Sequence, residues 1–533
     1  MEFDYVITRG NVIDGSGRAA FQADVGIVGD RITAVGDLSK ARASEVIDAN
    51  GHVVAPGFID IHTHSDCSLL VNGRAESQVH QGVTLEVVGN CGFSAAPLSG
   101  VIEHDKKVFS WYHPSIELNW RSFDEYLNRL GDVELGLNVM SYVGHGTVHQ
   151  KVMRGEQRTP THGEIGEMVS CVERAMEEGA VGFTTGLEYM PGSVARPEEI
   201  LPLIAVTEKY NGLYATHVRN RDVSYDVGFA EALAAARITG VSLQISHIQP
   251  KFGAPDGALE HTLEMIRWSR ESGADVCFDI FPYDWNHTSV FAALPAWAFE
   301  GGTEALLNRL ADPDSRERMK KNPKPVWQLI PAGKWNDIVL MRSENHKDLV
   351  GLTFEEVGRH FGKDPYDAMF DLLLREGEDL YSLMMTSHSF LESDVRLCLS
   401  QPECVVMSDT MALAPYGVLK DTIASVIGYG WTARLLSNYV RKNRVLSLQE
   451  AIHKLTGLPA QRLGLRERGN IVAGGMADIV IFDPETIENR ATLKNLTQYP
   501  AGIEYVMVNG EMVIRNGERT PLNPGRVIRR GGE

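Results

Sequence analysis

Short stretches of alternating apolar and polar residues occupy both ends of the chain. They are Tyr5–Thr8, Asn11–Gly15, Asp24–Val28, Ile479–Asp483, Tyr505–Val508 and Glu511–Ile514. A two-residue alternation with turn residues between the segments predicts β-strands joined by hairpins. Because short hairpins bury little surface alone, we predict that residues 1–56 and 466–533 form one discontinuous β-sandwich domain.

Between these ends, from residue 57 to 465, apolar strand-like runs alternate with helical patterns. The strand candidates are residues 58–62, 83–89, 135–143, 180–184, 213–217, 241–247, 275–281 and 404–409. Helical periodicity is clearest from Ile165 to Glu178 and from Phe229 to Arg237. Alternating strands and helices predict a parallel α/β sheet, and eight such units fit a closed (β/α)8 TIM-like barrel. An open doubly wound sheet is the alternative.

The stretch from about residue 285 to 400 is too long for one connection between strands seven and eight. It contains the polar run Asp312–Lys321, and we predict an insertion that covers the barrel mouth as a lid. An aromatic-rich stretch, Ser110–Pro114 with Trp120, follows strand two. This stretch either walls an apolar substrate pocket or packs beneath a loop.

The composition limits the classes of function. A chain of 533 residues with 43% hydrophobic and 23% charged residues is ordinary for a large globular protein. The formal charge of −19 argues against nucleic acid and anionic membranes as partners. We find no secretory leader pattern and no apolar run that could span a bilayer, so we expect a cytoplasmic protein. Six cysteines in so long a chain do not indicate a disulfide framework.

Candidate ligands for a metal ion lie at the ends of five predicted strands. They are His62 and His64 at the end of strand one, Cys91 just past strand two, His217 at the end of strand five, His247 at the end of strand six and Asp409 at the end of strand eight. In a barrel these strand ends share one rim, and a mixed set of nitrogen, sulfur and oxygen donors suits zinc. Each residue alone is also compatible with packing in the core.

The same rim offers groups for breaking a bond. Zinc lowers the pKa of a bound water, so that hydroxide is available at neutral pH. Asp409 can take the proton and pass it to a leaving nitrogen. Tyr189 and Tyr283, just past strands four and seven, either donate to a developing oxyanion or form the pocket wall. The remaining cysteines fit the core: Cys67, Cys171, Cys277, Cys398 and Cys404.

A set of short motifs, spread over nearly the whole chain, connects these residues to a known family. The motifs are Pro56–His64, Gly89–Gly92, Gly144–Gly146, Gly186–Gly192, Thr216–Arg219, Ser246–His247, Pro282–Tyr283, Ser408–Asp409 and Gly474–Asp478. Together they resemble the amidohydrolase superfamily, and within it the N-acyl-D-amino-acid deacylase (D-aminoacylase) family.

The resemblance implies a zinc-dependent amide hydrolase, with hydroxide generated at the metal as nucleophile and Asp409 as general base and acid. It implies that Cys91, His217 and His247 hold one zinc ion tightly, and that His62 and His64 help form a second, weaker site. Many relatives instead bridge two metals with a carboxylated lysine after strand four, but Thr184–Leu187 contains no lysine. In the D-aminoacylase branch a cysteine after strand two is the ligand.

Two departures from the family's pattern concern the substrate. The strand-six motif usually reads Ser-His-His-Lys, but here Ile248-Gln249 follows His247, and Lys251 is displaced by two. The family's His-Pro-Arg is absent after Asp409, since no arginine or histidine occurs before Val426. Those cations are expected to hold a substrate α-carboxylate.

Other residues could take over substrate binding: Arg219, Gln249, Lys251 and Lys420, with Arg221 as a further cation. We therefore predict hydrolysis of N-acyl amino acids, which are small-molecule amides. The alternatives are a zinc hydrolase of an aryl or cyclic amide without the carboxylate, and a non-catalytic barrel that serves as a scaffold. A homo-oligomer is compatible with the sequence.

Overall fold

The computed structural model describes residues 2–106, 109, 111–156, 158–321, 327–422 and 425–532. Ser110, the first residue of the predicted aromatic-rich stretch, lies outside this description. Five strands open the chain: β1 (Glu2–Val12), β2 (Phe21–Val28), β3 (Arg31–Gly36), β4 (Arg42–Asp48) and β5 (Val53–Pro56).

Seven parallel barrel strands follow, and all seven coincide with predicted apolar runs. Their segments are β6 (Phe58–Asp60), β7 (Val83–Val88), β8 (Asn138–Ser141), β9 (Val143–Gly144), β10 (Gly182–Gly186), β11 (Leu213–His217), β12 (Ser242–Ile245) and β13 (Val276–Ile280). The third strand is interrupted: β8 pairs with β7, and β9 pairs with β10. Nearly every residue of these strands is buried, as expected for a sheet covered on both faces.

Helices connect these strands. They are α1 (Ser68–Val71), α2 (Glu76–Val79), α3 (Ile102–Asp105), α4 (Phe123–Gly131), α5 (His145–Met153), α6 (His162–Glu177), α7 (Pro197–Lys209), α8 (Tyr225–Thr239) and α9 (Ala258–Glu271). In α6 a capping box formed by Thr161 and Glu164 satisfies the first free N–H groups. Met168, Val172 and Ala175 then form the buried stripe of this helix.

The predicted insertion between strands seven and eight is present. It contains an antiparallel sheet of β14 (Trp285–Ser289), β15 (Ile338–Arg342) and β16 (Met384–His388), and the helices α10 (Gly302–Ala311), α11 (Pro313–Lys321), α12 (Phe354–Phe361) and α13 (Pro365–Glu376). The insertion has its own core, in which Leu310, Trp335 and Phe370 are buried. It ends earlier than the predicted residue 400, because the next helix, α14 (Glu392–Leu399), already packs on the barrel.

The eighth strand, β17 (Cys404–Val406), pairs with β13 and closes the barrel onto the first strand. The backbone N–H of Asp409 donates to the carbonyl of His62 at 3.1 Å, and the N–H of His64 donates to the carbonyl of Thr410 at 2.7 Å. These hydrogen bonds join the first and last strands, so the cylinder is complete. The (β/α)8 barrel is confirmed and the open doubly wound sheet is excluded.

The remaining helical segments follow the eighth strand or lie in the connections between the elements described above. The α-helices are α15 (Trp431–Arg434), α16 (Leu448–Leu455) and α17 (Gly457–Arg462), and a π-helical segment spans Leu435–Lys442. Short 3-10 turns lie at Gly192–Val194, Val290–Ala293, Ala296–Phe299, Trp335–Asp337, Lys347–Leu349, Gly377–Ser382 and Gly417–Asp421. None of the described helices combines the length and apolar character needed to cross a bilayer.

Strands from the two ends of the chain meet in one sheet. The C-terminal strands are β18 (Ile479–Phe482), β19 (Ile503–Val508), β20 (Glu511–Arg515) and β21 (Glu518–Arg519). β18 pairs antiparallel with β5, so hydrogen bonding runs continuously through nine strands from both termini. Ile27, Ile479 and Met507 share the core of this β domain. The two termini therefore fold together beside the barrel.

Candidate metal centre and substrate cavity

Three of the six candidate ligands lie in the left-handed region of backbone space, directly after strand ends. The φ angles are 52° for Cys91, 36° for His247 and 52° for Asp409. Residues other than glycine rarely adopt such angles, and strained backbone of this kind concentrates at functional sites. The turns that contain these three residues lie at the barrel rim, where side chains from different strands approach one another.

The thiol of Cys91 lies at the centre of the candidate ligands. Its Sγ is 3.3 Å from Nε2 of His62, 3.7 Å from Nδ1 of His217 and 3.5 Å from Nε2 of His247. Sulfur and nitrogen ligands of one tetrahedral zinc ion are about 3.5 Å apart, given the usual Zn–S and Zn–N bond lengths. The donor types and their spacing therefore fit a zinc ion held by Cys91, His217 and His247.

A second group shares the same thiol. His62, His64, Cys91 and Asp409 each bring one donor atom within 4.8 Å of the others. Oδ1 of Asp409 is 3.2 Å from Nε2 of His64 and 3.4 Å from Nε2 of His62. The structure thus brings together all six ligands that the sequence suggested, in two groups that meet at Cys91.

Glu188, for which no role was predicted from the sequence, positions one of these histidines. Its Oε2 accepts from Nε2 of His217 at 2.7 Å, which turns Nδ1 of His217 toward Cys91. Its other oxygen pairs with the ammonium group of buried Lys251. Glu188 follows strand four at the same rim as the ligands, and this position is the signal that could have identified it.

Burial and neighbouring charges set the protonation of the group. Burial raises the pKa of the Cys91 thiol, but the charge of His62 and hydrogen bonds from the imidazoles outweigh it and hold this pKa well below its usual range. Burial disfavours the charged form of His64, yet Asp409 and Cys91 raise its pKa to about 9. Burial and the nearby Arg221 lower the pKa of His247, so its imidazole is neutral, as a ligand requires.

The pKa of Asp409 is also lowered. Burial raises it, but the charges of His62 and His64 more than compensate, so that the carboxylate is ionised. An ionised carboxylate beside metal ligands can accept a proton from water.

A cavity of about 630 Å³ opens over these residues. The barrel rim contributes its floor, including His64, Cys91 and Asp409, and the insertion contributes Phe291, Trp327 and Arg342. Trp111 and Tyr112 of the aromatic-rich stretch line it as well, whereas Trp120 is packed in the core and donates to the carbonyl of Ala95 at 2.7 Å. The insertion thus covers the strand ends where barrel enzymes place their active sites.

Sequence comparison places this geometry in a known family. The amidohydrolase family model matches residues 45–245 and 385–514. These ranges hold most of the barrel strands and the C-terminal strands, and they leave out β13, most of the insertion and the first three strands. The chain belongs to the amidohydrolase family.

Relatives of this amidohydrolase are similar over its whole length. N-acyl-D-glutamate deacylase of Alcaligenes xylosoxydans xylosoxydans is 33% identical, and the match covers 99% of this chain and 97% of that protein. D-aminoacylase of the same organism is 32% identical, with 99% and 98% covered. A crystal structure of N-acyl-D-glutamate deacylase from Bordetella bronchiseptica, complexed with zinc and a phosphonate inhibitor, has a TM-score of 0.83 at 30% identity, covering 99% of this chain and 100% of that one.

The two candidate tyrosines of the amidohydrolase occupy different environments. The ring of Tyr189 lies 4.7 Å from the ring of His217 and lines the cavity. The hydroxyl of Tyr283 instead donates to the carbonyl of Val426 at 3.0 Å and accepts from Asn489 at 3.2 Å. Tyr283 is therefore a packed residue behind the wall, and its predicted role at an oxyanion is not supported.

Three of the four predicted substrate-binding residues do not reach the cavity. Arg219 uses all five of its N–H donors on Glu231 and on the carbonyls of residues 192, 193 and 195. Buried Gln249 donates to the carbonyls of Phe281 and Tyr283, and Lys420 is exposed outside the cavity wall. These contacts argue against the three predictions.

Lys251 does reach the cavity, and so do Arg221 and further basic groups for which no role was predicted from the sequence. Lys251 is buried over the ring of Trp327, with its ammonium 4.3 Å from the ring centre. Arg221 lines the same wall and donates to the carbonyl of His247 at 2.7 Å. Arg342 and His287 of the insertion also line the cavity, as does Lys106. The position of Arg342 could not be predicted from the sequence because it depends on how the insertion packs on the barrel.

Proposed function

We propose that this amidohydrolase uses zinc to hydrolyse the amide bond of N-acyl amino acids. The observation that carries the proposal is the position of the Cys91 thiol among three imidazoles, with Asp409 beside it on a covered cavity floor. Full-length relatives named as N-acyl-D-amino-acid deacylases support the substrate class.

Cys91, His217 and His247 would hold one zinc ion tightly, and His62 and His64 with Asp409 would form a weaker second site around the same thiol. When bound, zinc supplies Lewis acidity toward a carbonyl oxygen and lowers the pKa of a bound water. A D-aminoacylase of known structure, 30% identical to this chain, has a binuclear metal centre. Two groups of ligands sharing one sulfur are compatible with such a centre.

Asp409 would move the proton. Its ionised carboxylate lies between two imidazoles at the cavity floor, within 3.4 Å of both. It can accept a proton from the attacking water and deliver it to the amide nitrogen as the C–N bond breaks. Without that delivery the leaving group would depart as an unstable amide anion.

Tyr189 would stabilise charge on the carbonyl oxygen. It packs on His217 at the edge of the cavity, and its pKa is well above the usual value because of burial and the charge of Glu188. A phenol that stays protonated can donate a hydrogen bond to a developing oxyanion. Phe93 beside it, 5.9 Å between ring centres, helps exclude water.

The basic side of the cavity would receive the carboxylate of the amino acid. Lys251, Arg221 and Arg342 line it, and opposite charge at close range favours an anionic substrate. Each of these cations already has a partner, since Lys251 pairs with Glu188, Arg221 with the carbonyl of His247, and Arg342 with Glu344. This pairing favours a second candidate function, hydrolysis of an aryl or cyclic amide that lacks the carboxylate.

A substrate screen separates the two functions. The zinc-loaded protein is incubated with N-acetyl derivatives of D- and L-amino acids, with neutral anilides and with cyclic amides, and release of free amine is measured. Turnover restricted to carboxylate-bearing amides supports the first proposal, and faster turnover of neutral amides supports the second. No hydrolysis of any of these compounds would contradict both.

A further inference from the structure

A second cavity of about 850 Å³ adjoins the first. Its walls are formed by the loop after strand four, the start of α8 and the 3-10 turns of the insertion. The apolar side chains that line it include Leu187, Met190, Pro191, Val227, Leu294 and Phe299. Its volume lies in the range of cavities that enclose a drug-sized ligand.

The second cavity begins one side chain away from the candidate metal centre. Tyr189 and Phe93 line both cavities, and so do Phe291 and Tyr381 of the insertion. The ring of Tyr189 contacts His217, whose Nδ1 faces Cys91. A molecule held at the metal centre can therefore extend past these aromatic rings into the second cavity.

The carboxylates and the guanidinium that line the second cavity already have partners, since Glu188 pairs with Lys251 and His217, and Glu231 pairs with Arg219. The guanidinium of Arg219 forms two hydrogen bonds of 2.9 Å with Glu231 and gives its remaining donors to backbone carbonyls. His149, on another part of the wall, has its pKa lowered to about 4 by burial and is 3.8 Å from the carboxylate of Glu199. Such a wall offers an apolar surface rather than a site for an ion.

The two cavities therefore differ in the chemistry that they offer. The first presents Arg221, Lys251 and Arg342, whereas the second presents mainly carbon. An N-acyl amino acid has the same division, with a carboxylate on one side of the scissile amide and the acyl chain on the other. At the outer rim of the second cavity Val227 is 68% exposed, so the cavity is open to solvent there.

We propose that the second cavity binds the acyl chain, and that the preferred substrates carry a medium or long fatty acyl group rather than acetyl. This inference rests on the proposed function. Each methylene that is fully buried increases binding up to about fourfold. Only part of that gain is expected here because the outer rim is open.

A chain-length series tests the proposal on the zinc-loaded, full-length protein. N-acetyl-, N-hexanoyl- and N-decanoyl-D-methionine are compared by kcat/KM. We expect kcat/KM to increase at least about tenfold from acetyl to decanoyl. A flat or falling series would overturn the proposal.

Variants locate the effect. Val227→Trp on α8 and Ala296→Trp on the opposite wall fill the outer part of the cavity from exposed positions, so folding should be preserved. Both should reduce the ratio of decanoyl to acetyl turnover at least threefold. The matched control is Ile238→Trp, at a residue of the same helix that is also 68% exposed but lies outside the cavity wall. An equal reduction in the control would contradict the assignment.

Decanoate binding separates failure of this proposal from failure of the proposed function. Isothermal titration calorimetry of decanoate and acetate needs no turnover. If no N-acyl-methionine is hydrolysed, the apolar site is still supported when two results are found. Decanoate binds the wild type at least tenfold more tightly than acetate does, and it binds Val227→Trp more weakly than it binds the wild type. Equal binding of decanoate and acetate to the wild type would overturn it.

Discussion

Glu188 accepts a hydrogen bond from Nε2 of His217 at 2.7 Å, and both side chains are buried. Because Glu188 occupies Nε2, Nδ1 is the ring nitrogen of His217 that faces Cys91 and would bind a metal. We expect Glu188→Gln to weaken zinc binding by about 10- to 100-fold. Competition with a fluorescent zinc chelator measures this change.

The chain offers a close control for that variant. Glu199 is also buried, and its Oε1 lies 2.7 Å from Nε2 of His145, which is not a candidate ligand. Glu199→Gln therefore removes an equivalent carboxylate from an equivalent imidazole. Zinc affinity should stay at the wild-type value in this variant, and a similar loss in both would show that Glu188 acts through general stability.

Cys91→Ala should remove the metal itself. The thiol is the only atom common to both groups of candidate ligands among the described residues. Without it each group loses its sulfur, and we expect less than about one-tenth of the wild-type zinc content by atomic emission after dialysis. Cys277→Ala, at another buried cysteine on β13, should retain zinc. Full zinc occupancy in Cys91→Ala would refute the shared-thiol arrangement.

Asp409→Asn should separate catalysis from metal binding. The amide keeps the shape of the side chain but cannot take a proton, so turnover should fall at least about 100-fold. Zinc bound at Cys91, His217 and His247 should remain, since that group does not include Asp409. Asp284→Asn, which alters a carboxylate paired with His388, should keep near-wild-type turnover. Wild-type activity in Asp409→Asn would exclude a proton-transfer role.

His149 should make the folded protein sensitive to acid. Burial, with a smaller effect of His145, lowers its pKa to about 4, whereas an unfolded histidine titrates near 6.5. Between these values the unfolded chain binds a proton that the folded chain does not, so stability falls as the pH falls. From pH 7 to 5 this amounts to a loss of about 2 kcal/mol.

Denaturant unfolding of the wild type and His149→Gln at pH 7 and pH 5 measures that loss. The variant should lose about 2 kcal/mol less than the wild type over this range. His261→Gln, at an exposed histidine on α9, should behave like the wild type. Identical pH dependence in all three proteins would show that His149 does not titrate as its burial implies.

The sequence predicted the scaffold and the residues at its rim because both follow from local patterns. Apolar runs identified all eight barrel strands. His217 is the last residue of β11, and Cys91, His247 and Asp409 lie within three residues of the ends of β7, β12 and β17, so the barrel brings all four to one rim. The order of the strands is therefore nearly enough to predict this part of the site.

Tyr283 and Arg219 lie no farther from strand ends than Cys91 and His247, yet their side chains point elsewhere. Tyr283 lies three residues past β13, and its hydroxyl turns to Val426 and Asn489 instead of the cavity. Arg219 lies two residues past β11 and is consumed by Glu231 and three carbonyls. The direction of such a side chain depends on the turn of its loop and on partners that are distant in the sequence. Neither can be read from a single sequence.

The most direct test of the account is X-ray absorption at the zinc edge of the purified, zinc-loaded protein. We expect one sulfur ligand at about 2.3 Å with nitrogen and oxygen ligands at about 2.0–2.1 Å, and loss of the sulfur contribution in Cys91→Ala. A zinc environment built only from nitrogen and oxygen in the wild type would contradict the central claim that Cys91 joins the imidazoles in holding the metal.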